Sequence, residues 1–251
     1  MDLGLDGSVF IVSGGSRGLG RATARMLVGE GARVLVSGRD GHAVLAAASE
    51  LRTDRAIGIA ADNGDPGAAE RLVAAAVARF GRLDGALISV GGPPPGRVDQ
   101  VDDTTWRAAF ETVFLGAVRL ARAVTTQLPP RGGSIVFVLS SSVRSPLPGV
   151  ATSNGLRPGL AMIAKELADE LGPRNIRVNG LLPARIGTDR LLELDAGRGQ
   201  AQVDAQRAMI PLGRDGTPDE FARVATFVLS PAASYITGAM IPIDGGVLRN
   251  L

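Results

Sequence analysis

Short, unbroken apolar runs punctuate the chain at residues 9–12, 34–36, 57–60, 86–90, 135–139, 178–182 and 240–243. They do not alternate apolar with polar, which is how strands buried on both faces read. Between them lie stretches with helical spacing of apolar residues, among them 21–30, 67–80, 104–127, 156–171 and 218–229. Strand and helix alternating over a whole chain predict a parallel sheet with helices packed on both faces. Right-handed crossovers would join all seven strands into one doubly wound α/β domain over residues 1–251. No polar linker and no internal repeat divides it. Residues 185–211 are the least regular. They read either as a short helical excursion or as a mobile loop, and they are expected to cover a substrate.

The first apolar run is followed by Ser13-Gly14-Gly15-Ser16-Arg17-Gly18-Leu19-Gly20 and then by a helix. Glycines permit a tight turn and let another molecule approach the backbone. The helix start behind them offers free N–H groups and partial positive charge, which suit a phosphate. Strand, glycine-rich turn, helix and second strand in that order predict a Rossmann-type dinucleotide site, held by Gly14, Ser16, Arg17, Gly18, Leu19 and Gly20. In such folds a carboxylate at the end of the second strand takes the ribose hydroxyls. Here that strand ends Ser37-Gly38-Arg39. Arg39, with Arg17, suits a 2′-phosphate, so NADP(H) is the expected cofactor. The opposing readings are two solvated surface arginines, and a ribose held by Asp40.

Composition narrows the chemistry. The 251 residues are 45% hydrophobic but only 4% aromatic, so the core must be aliphatic. Basic residues are scattered and the formal charge is +2, which argues against nucleic acid. No run is long enough to span a membrane. The start of the chain has two aspartates and no basic apolar segment, so the expected location is cytoplasmic. Cysteine is absent, which excludes thiolate chemistry and is compatible with a reducing compartment. His42, Tyr235 and Lys165 are each the sole residue of their type, so a histidine-based metal site or triad is excluded for a monomer.

The glycine turn resembles the T-G-x-x-x-G-x-G turn of the short-chain dehydrogenase/reductase family, with Ser13 in the Thr position. The resemblance extends over nearly the whole chain. Arg177-Val178-Asn179-Gly180 with Pro183 resembles the sixth strand and the loop over the nicotinamide, where Pro183 and Ile186 are expected to touch the cofactor. Pro211-Leu212-Gly213-Arg214, Tyr235-Ile236-Thr237-Gly238 and Ile243-Asp244-Gly245-Gly246 resemble the family's C-terminal third. The resemblance implies that Asp62, with Asn63, meets the adenine; the same residues also read as an ordinary turn. Gly91, in Ser89-Val90-Gly91-Gly92, stands where the family has N-N-A-G along the cofactor. Arg97 in the proline-rich loop that follows is a candidate rim residue.

The family's active site normally joins Asn, Ser, Tyr and Lys. Ser140 fits the serine, whereas Ser153 stands for Tyr, Arg157 for Lys and Val113 for Asn. Arg157 keeps a charge for the ribose but does not exchange protons near neutral pH. Ser153 keeps a hydroxyl, yet an alcohol is a far weaker acid than a phenol of pKa about 10. Ser141, Ser142, Thr152 and Asn154, with Arg144, either complete an oxyanion pocket or merely satisfy the backbone. The reading is an NADP-dependent oxidoreductase of the carbonyl reductase or alcohol dehydrogenase type, similar to 3-oxoacyl reductases, with catalytic Ser140, Ser153 and Arg157. The alternatives are a cofactor-binding protein without turnover, and a non-redox dehydratase, isomerase or cyclase. A small carbonyl compound or alcohol is the expected partner, and a homotetramer or homodimer the expected assembly. Apolar positions Val113, Leu115, Val118, Leu160, Ile163 and Leu167 would supply its interface, some of them facing the sheet instead.

Overall fold

A computed structural model describes residues 1–51 and 54–250. Seven parallel strands form one sheet: β1 (Val9–Val12), β2 (Arg33–Gly38), β3 (Ala56–Ala60), β4 (Gly85–Ser89), β5 (Gly133–Val138), β6 (Ile176–Pro183) and β7 (Met240–Ile243). Their order is β3-β2-β1-β4-β5-β6-β7. The helices between them are α1 (Gly18–Gly29), α2 (Gly41–Glu50), α3 (Ala68–Phe80), α4 (Asp103–Ala109), α5 (Gly116–Gln127), α6 (Ala151–Leu171), α7 (Asp189–Asp195), α8 (Gln200–Ala208) and α9 (Pro218–Leu229). The expected doubly wound domain forms, and each expected apolar run lies on its strand or within a residue or two of it.

Each face of the sheet carries its own aliphatic core. Residues of α3, α5 and α6 cover one face, built around Leu72, Leu120, Ile135, Phe137 and Leu160. Residues of α1, α2 and α9 cover the other, around Leu27, Val34, Leu87 and Phe221. The long stretch at 104–127 is helical throughout, but one turn at Phe110–Leu115 is widened to π-type helix. Such turns commonly mark functional positions. Val113 lies in it and is 1% exposed, as is Leu160. Both pack into their own core, so neither is free for the subunit interface expected of them.

The region 185–211 is helical, carrying α7 and α8. It is pinned by an ion network around Arg185, which donates to Asp195 at 2.7 Å, Asp215 at 2.8 Å and Gln206 at 2.7 Å. Arg198 and Arg207 add to Asp195 and Asp215 respectively. These carboxylates hold the Arg185 guanidinium above its ordinary pKa.

The motif at residues 177–180 has a structural explanation. Arg177 on β6 is buried and donates to the carbonyls of Val228, Leu229 and Ser230, closing the C-terminus of α9 where positive charge is favoured. Burial pulls its pKa down to about 10. Asn179 donates to Ile236 O and accepts from Ala239 N, fastening the segment before β7.

Candidate active site

The strand order reverses direction between β1 and β4, and ligands of open α/β sheets bind outside the strand ends at that point. The hydroxyl of Ser13 ties the two ends together, donating to Ser89 O at 3.0 Å and accepting from Ser89 N at 2.9 Å. The glycine turn therefore sits over the reversal. Gly14 and Gly18 have φ of +60° and +55°, which side chains rarely allow. A Cβ on Gly14 would lie 2.6 Å from Ser89 O, and one on Gly20 would lie 2.3 Å from Gly14 O. The turn can close only without side chains. Arg17 precedes α1 without capping it, so no side chain satisfies the first N–H groups of that helix. Across the reversal, a Cβ on Gly91 would meet nothing within 4 Å, so the backbone there borders open space.

The other cofactor candidates lie in the turn or at the carboxyl ends of the flanking strands. Ser16 lies over the end of β2, its Oγ 3.0 Å from where a Cβ of Gly38 would stand. Leu19 is half-buried against the core below. Arg39 is exposed and in no ion pair among the described residues. Asp40 accepts from Ala43 N at 3.1 Å and caps α2 through one carboxylate oxygen. Asp62 follows β3, accepting from Gly64 N at 2.9 Å in a local turn, with Asn63 packed against Gly116 of α5. Pro183 ends β6 and Ile186, 6% exposed, pairs with Gly216 beyond it.

Arg157 joins Ser153 to the carboxyl end of β5, two residues before Ser140. Ser140, half-buried, accepts from Ser142 N at 3.1 Å, which leaves its O–H free to donate. Arg157 projects from α6, donating through Nη1 to Val138 O at 2.9 Å and through Nε to Ser153 Oγ at 3.1 Å. Ser153 thereby accepts, and its O–H also stays available. Arg157 is 7% exposed, and burial, then the charge of Arg190, pulls its pKa to about 10. The guanidinium remains charged at neutral pH. The hydroxyls of Ser142 and Thr152 are buried without partners among the described residues. Ser141 is buried beside Ser142, while Asn154 is spent on the backbone of Leu147. Arg144 turns away to Met240 O at 3.3 Å and adds no charge at Ser140. Tyr235 is fully exposed, and Lys165 pairs with Asp169 on the surface.

Helix α7 reaches back across the opening. Arg190 donates to Pro93 O at 2.8 Å and to Glu193 at 3.3 Å, and Glu193 also meets Arg17 at 3.5 Å. These contacts join residues 97 and 176 positions apart, which spacing along the chain does not reveal. Arg97 pairs with Asp99 on the exposed rim. No helix among the described residues is long and apolar enough to cross a membrane, and no three potential ligands among them gather for a metal.

Comparison with known proteins agrees with this geometry. Residues 14–248 match the family profile described as enoyl-(acyl carrier protein) reductase. L-rhamnose 1-dehydrogenase (NAD(P)(+)) of Azotobacter vinelandii is 34% identical, with 96% of each chain covered. L-sorbose reductase of Gluconobacter frateurii, solved with NADPH and L-sorbose, superposes over 100% of both chains with a TM-score of 0.92 and 29% identity. A short-chain oxidoreductase of Pseudomonas aeruginosa PAO1, described as containing an atypical catalytic centre, covers 97% of this chain and 98% of its own, with TM-score 0.89 and 29% identity. The chain is an oxidoreductase-fold protein of the short-chain dehydrogenase/reductase family, to which it belongs.

Proposed function

We propose that the protein is an NADP(H)-dependent oxidoreductase interconverting a small carbonyl compound and its alcohol, with an altered proton-transfer centre. One observation carries this: the side-chain-free glycine cradle lies over the sheet reversal with two free hydroxyls and a fixed cation beside it. The cradle fits a dinucleotide because Gly14 and Gly20 let the turn close tightly at the open N-terminus of α1, and the backbone at Gly91 borders open space. Gly14, Ser16, Gly18, Leu19 and Gly20 would hold the phosphates, Asp62 and Asn63 the adenine, and Gly91, Pro183 and Ile186 the nicotinamide half. When bound, the nicotinamide supplies or removes a hydride. Ser140 donates to the substrate oxygen and stabilises its developing charge. Arg157 holds Ser153 in place through Nε, and part of its remaining N–H groups would serve the ribose. Ser153 or a water it orders passes the proton, without the phenol whose help is typically worth about 10²–10⁴ in rate. A centre that exchanges protons poorly also favours a second reading, cofactor binding without turnover. NADPH consumption against a panel of activated carbonyls separates the two.

Cofactor choice follows from the end of β2. Gly38 offers no carboxylate and Asp40 spends one oxygen on capping, so Ser16, Arg17 and Arg39 would take a ribose phosphate. Arg39→Ala should weaken NADPH binding about tenfold and leave NADH unaffected, read by cofactor fluorescence. Equal affinities in the wild type would contradict the assignment.

The protein is further proposed to be a homodimer or homotetramer. With Val113 and Leu160 inside, the half-buried Leu115, Val118, Ile163 and Leu167 and the exposed Phe110 and Met162 remain on the same helical segments. Light scattering at micromolar concentration should give two or four chain masses. A monomer would count against it.

A further inference from the structure

Arg157 is more than nine-tenths buried, yet its guanidinium touches only neutral acceptors, Val138 O and Ser153 Oγ. No carboxylate among the described residues lies within ion-pair range of it. Arg185 shows the contrast, since Asp195 and Asp215 neutralise it. A buried cation without a counter-ion is costly, and a bound anion removes the cost. A second cation stands close by. Arg190 lies against the backbone of Gly92 and Pro93, its Nε 2.9 Å from where a Cβ of Gly92 would be. Pro93 lies four residues beyond Ser89, the residue paired in register with Val138. Both guanidinium groups lie at or beyond the carboxyl ends of the neighbouring strands β4 and β5, near enough for the charge of Arg190 to act on Arg157. Arg190 has only a share of Glu193, because that carboxylate also faces Arg17. One negative charge thus serves two arginines, and Arg157 has none.

We infer that the substrate of this cleft is a small oxo or hydroxy acid whose carboxylate is held between Arg157 and Arg190. This rests on the oxidoreductase reading and names its substrate class. A neutral sugar or simple ketone would leave the Arg157 charge unanswered. Arg185, Arg198 and Arg207 take no part, being bound to Asp195 and Asp215. The cofactor's own phosphates are the other source of anionic oxygen, so binding must be measured with the cofactor present.

The test is calorimetric titration of the NADP⁺-loaded protein with 2-oxobutyrate and acetoacetate against their methyl esters. The acids should bind at least about tenfold more tightly than the esters. Arg190→Gln should erase most of that preference. Glu193→Gln, which frees Arg190 from its competitor, should increase it. Thermal melting of each variant reports whether it is folded, and the opposite signs of the two variants exclude a general loss of structure. Equal binding of acid and ester would overturn the inference. So would competition between acid and cofactor, which would make the cofactor phosphate the counter-ion. NADPH consumption with neutral carbonyls but no acid preference would sink this inference alone. Tight, Arg190-dependent acid binding without any NADPH consumption would sink the reductase reading alone.

Discussion

Ser140→Ala should lower kcat by about 10²–10³ while leaving the NADPH dissociation constant nearly unchanged. The hydroxyl of Ser140 is the free donor nearest the end of β5, because its lone pair takes Ser142 N and its proton has no partner among the described residues. In the proposed reaction, with no phenol in the cleft, that donor would carry most of the stabilisation of the substrate oxygen. Its loss should therefore fall on the chemical step and not on the cofactor, which the glycine turn is proposed to hold separately. The folding cost should stay near 1 kcal/mol, since one partly buried hydrogen bond is lost. Steady-state kinetics with parallel cofactor titration check this. A Ser140→Ala variant with unaltered kcat would remove Ser140 from the mechanism.

Arg157→Met should give an unliganded protein at least as stable as the wild type, within about 1 kcal/mol, yet one that binds NADPH and substrate about tenfold more weakly. Holding the guanidinium charged in its buried position costs about 3 kcal/mol at neutral pH, judged from a pKa drawn down to about 10. The sign follows from proton linkage. The folded protein binds this proton less tightly than the unfolded chain, so the penalty is present at neutral pH and eases only as pH rises above about 10. Against it stand the bonds to Val138 O and Ser153 Oγ, and an orphaned Val138 O returns about 1–3 kcal/mol of loss. The two terms nearly cancel in the empty protein. They separate once ligand is present, because only arginine then gains a partner. Thermal melting with and without NADPH reads both halves. A variant that melts far below the wild type when empty would show Arg157 to be an ordinary structural residue.

Much of this was legible in the sequence, for identifiable reasons. The strands are buried on both faces, so their apolar runs need no tertiary knowledge to be seen. The glycine turn was legible because Gly14, Gly18 and Gly20 are demanded by backbone geometry that no other residue supplies. The start of α6 was not. Ser153, Asn154, Gly155, Pro158 and Gly159 are poor helix formers, and the sequence places the helix only from residue 156. The helix begins at Ala151 because those glycines let it lie close on Trp106 and Phe114, where a Cβ would stand 2.9 Å away in each case. Packing overrides propensity there, and it is this early turn that carries Ser153. Arg144 and Arg157 look alike in sequence, yet one ends on β7 and the other beneath Ser153. The link from α7 to the glycine turn through Glu193, and its contact with Pro93 through Arg190, depends on tertiary closure alone.

In the proposed function this cleft reduces carbonyls through Ser140, with a serine and an arginine in place of the phenol and amine. The most direct measurement is NADPH consumption by the wild type against a broad carbonyl panel, run beside the double variant Ser153→Tyr, Arg157→Lys. The expected result is slow but real, Ser140-dependent turnover by the wild type and faster turnover of simple activated ketones by the double variant. A wild type that binds NADPH yet stays silent, while the double variant turns over, would contradict it and leave a cofactor-binding or non-redox protein on a competent fold.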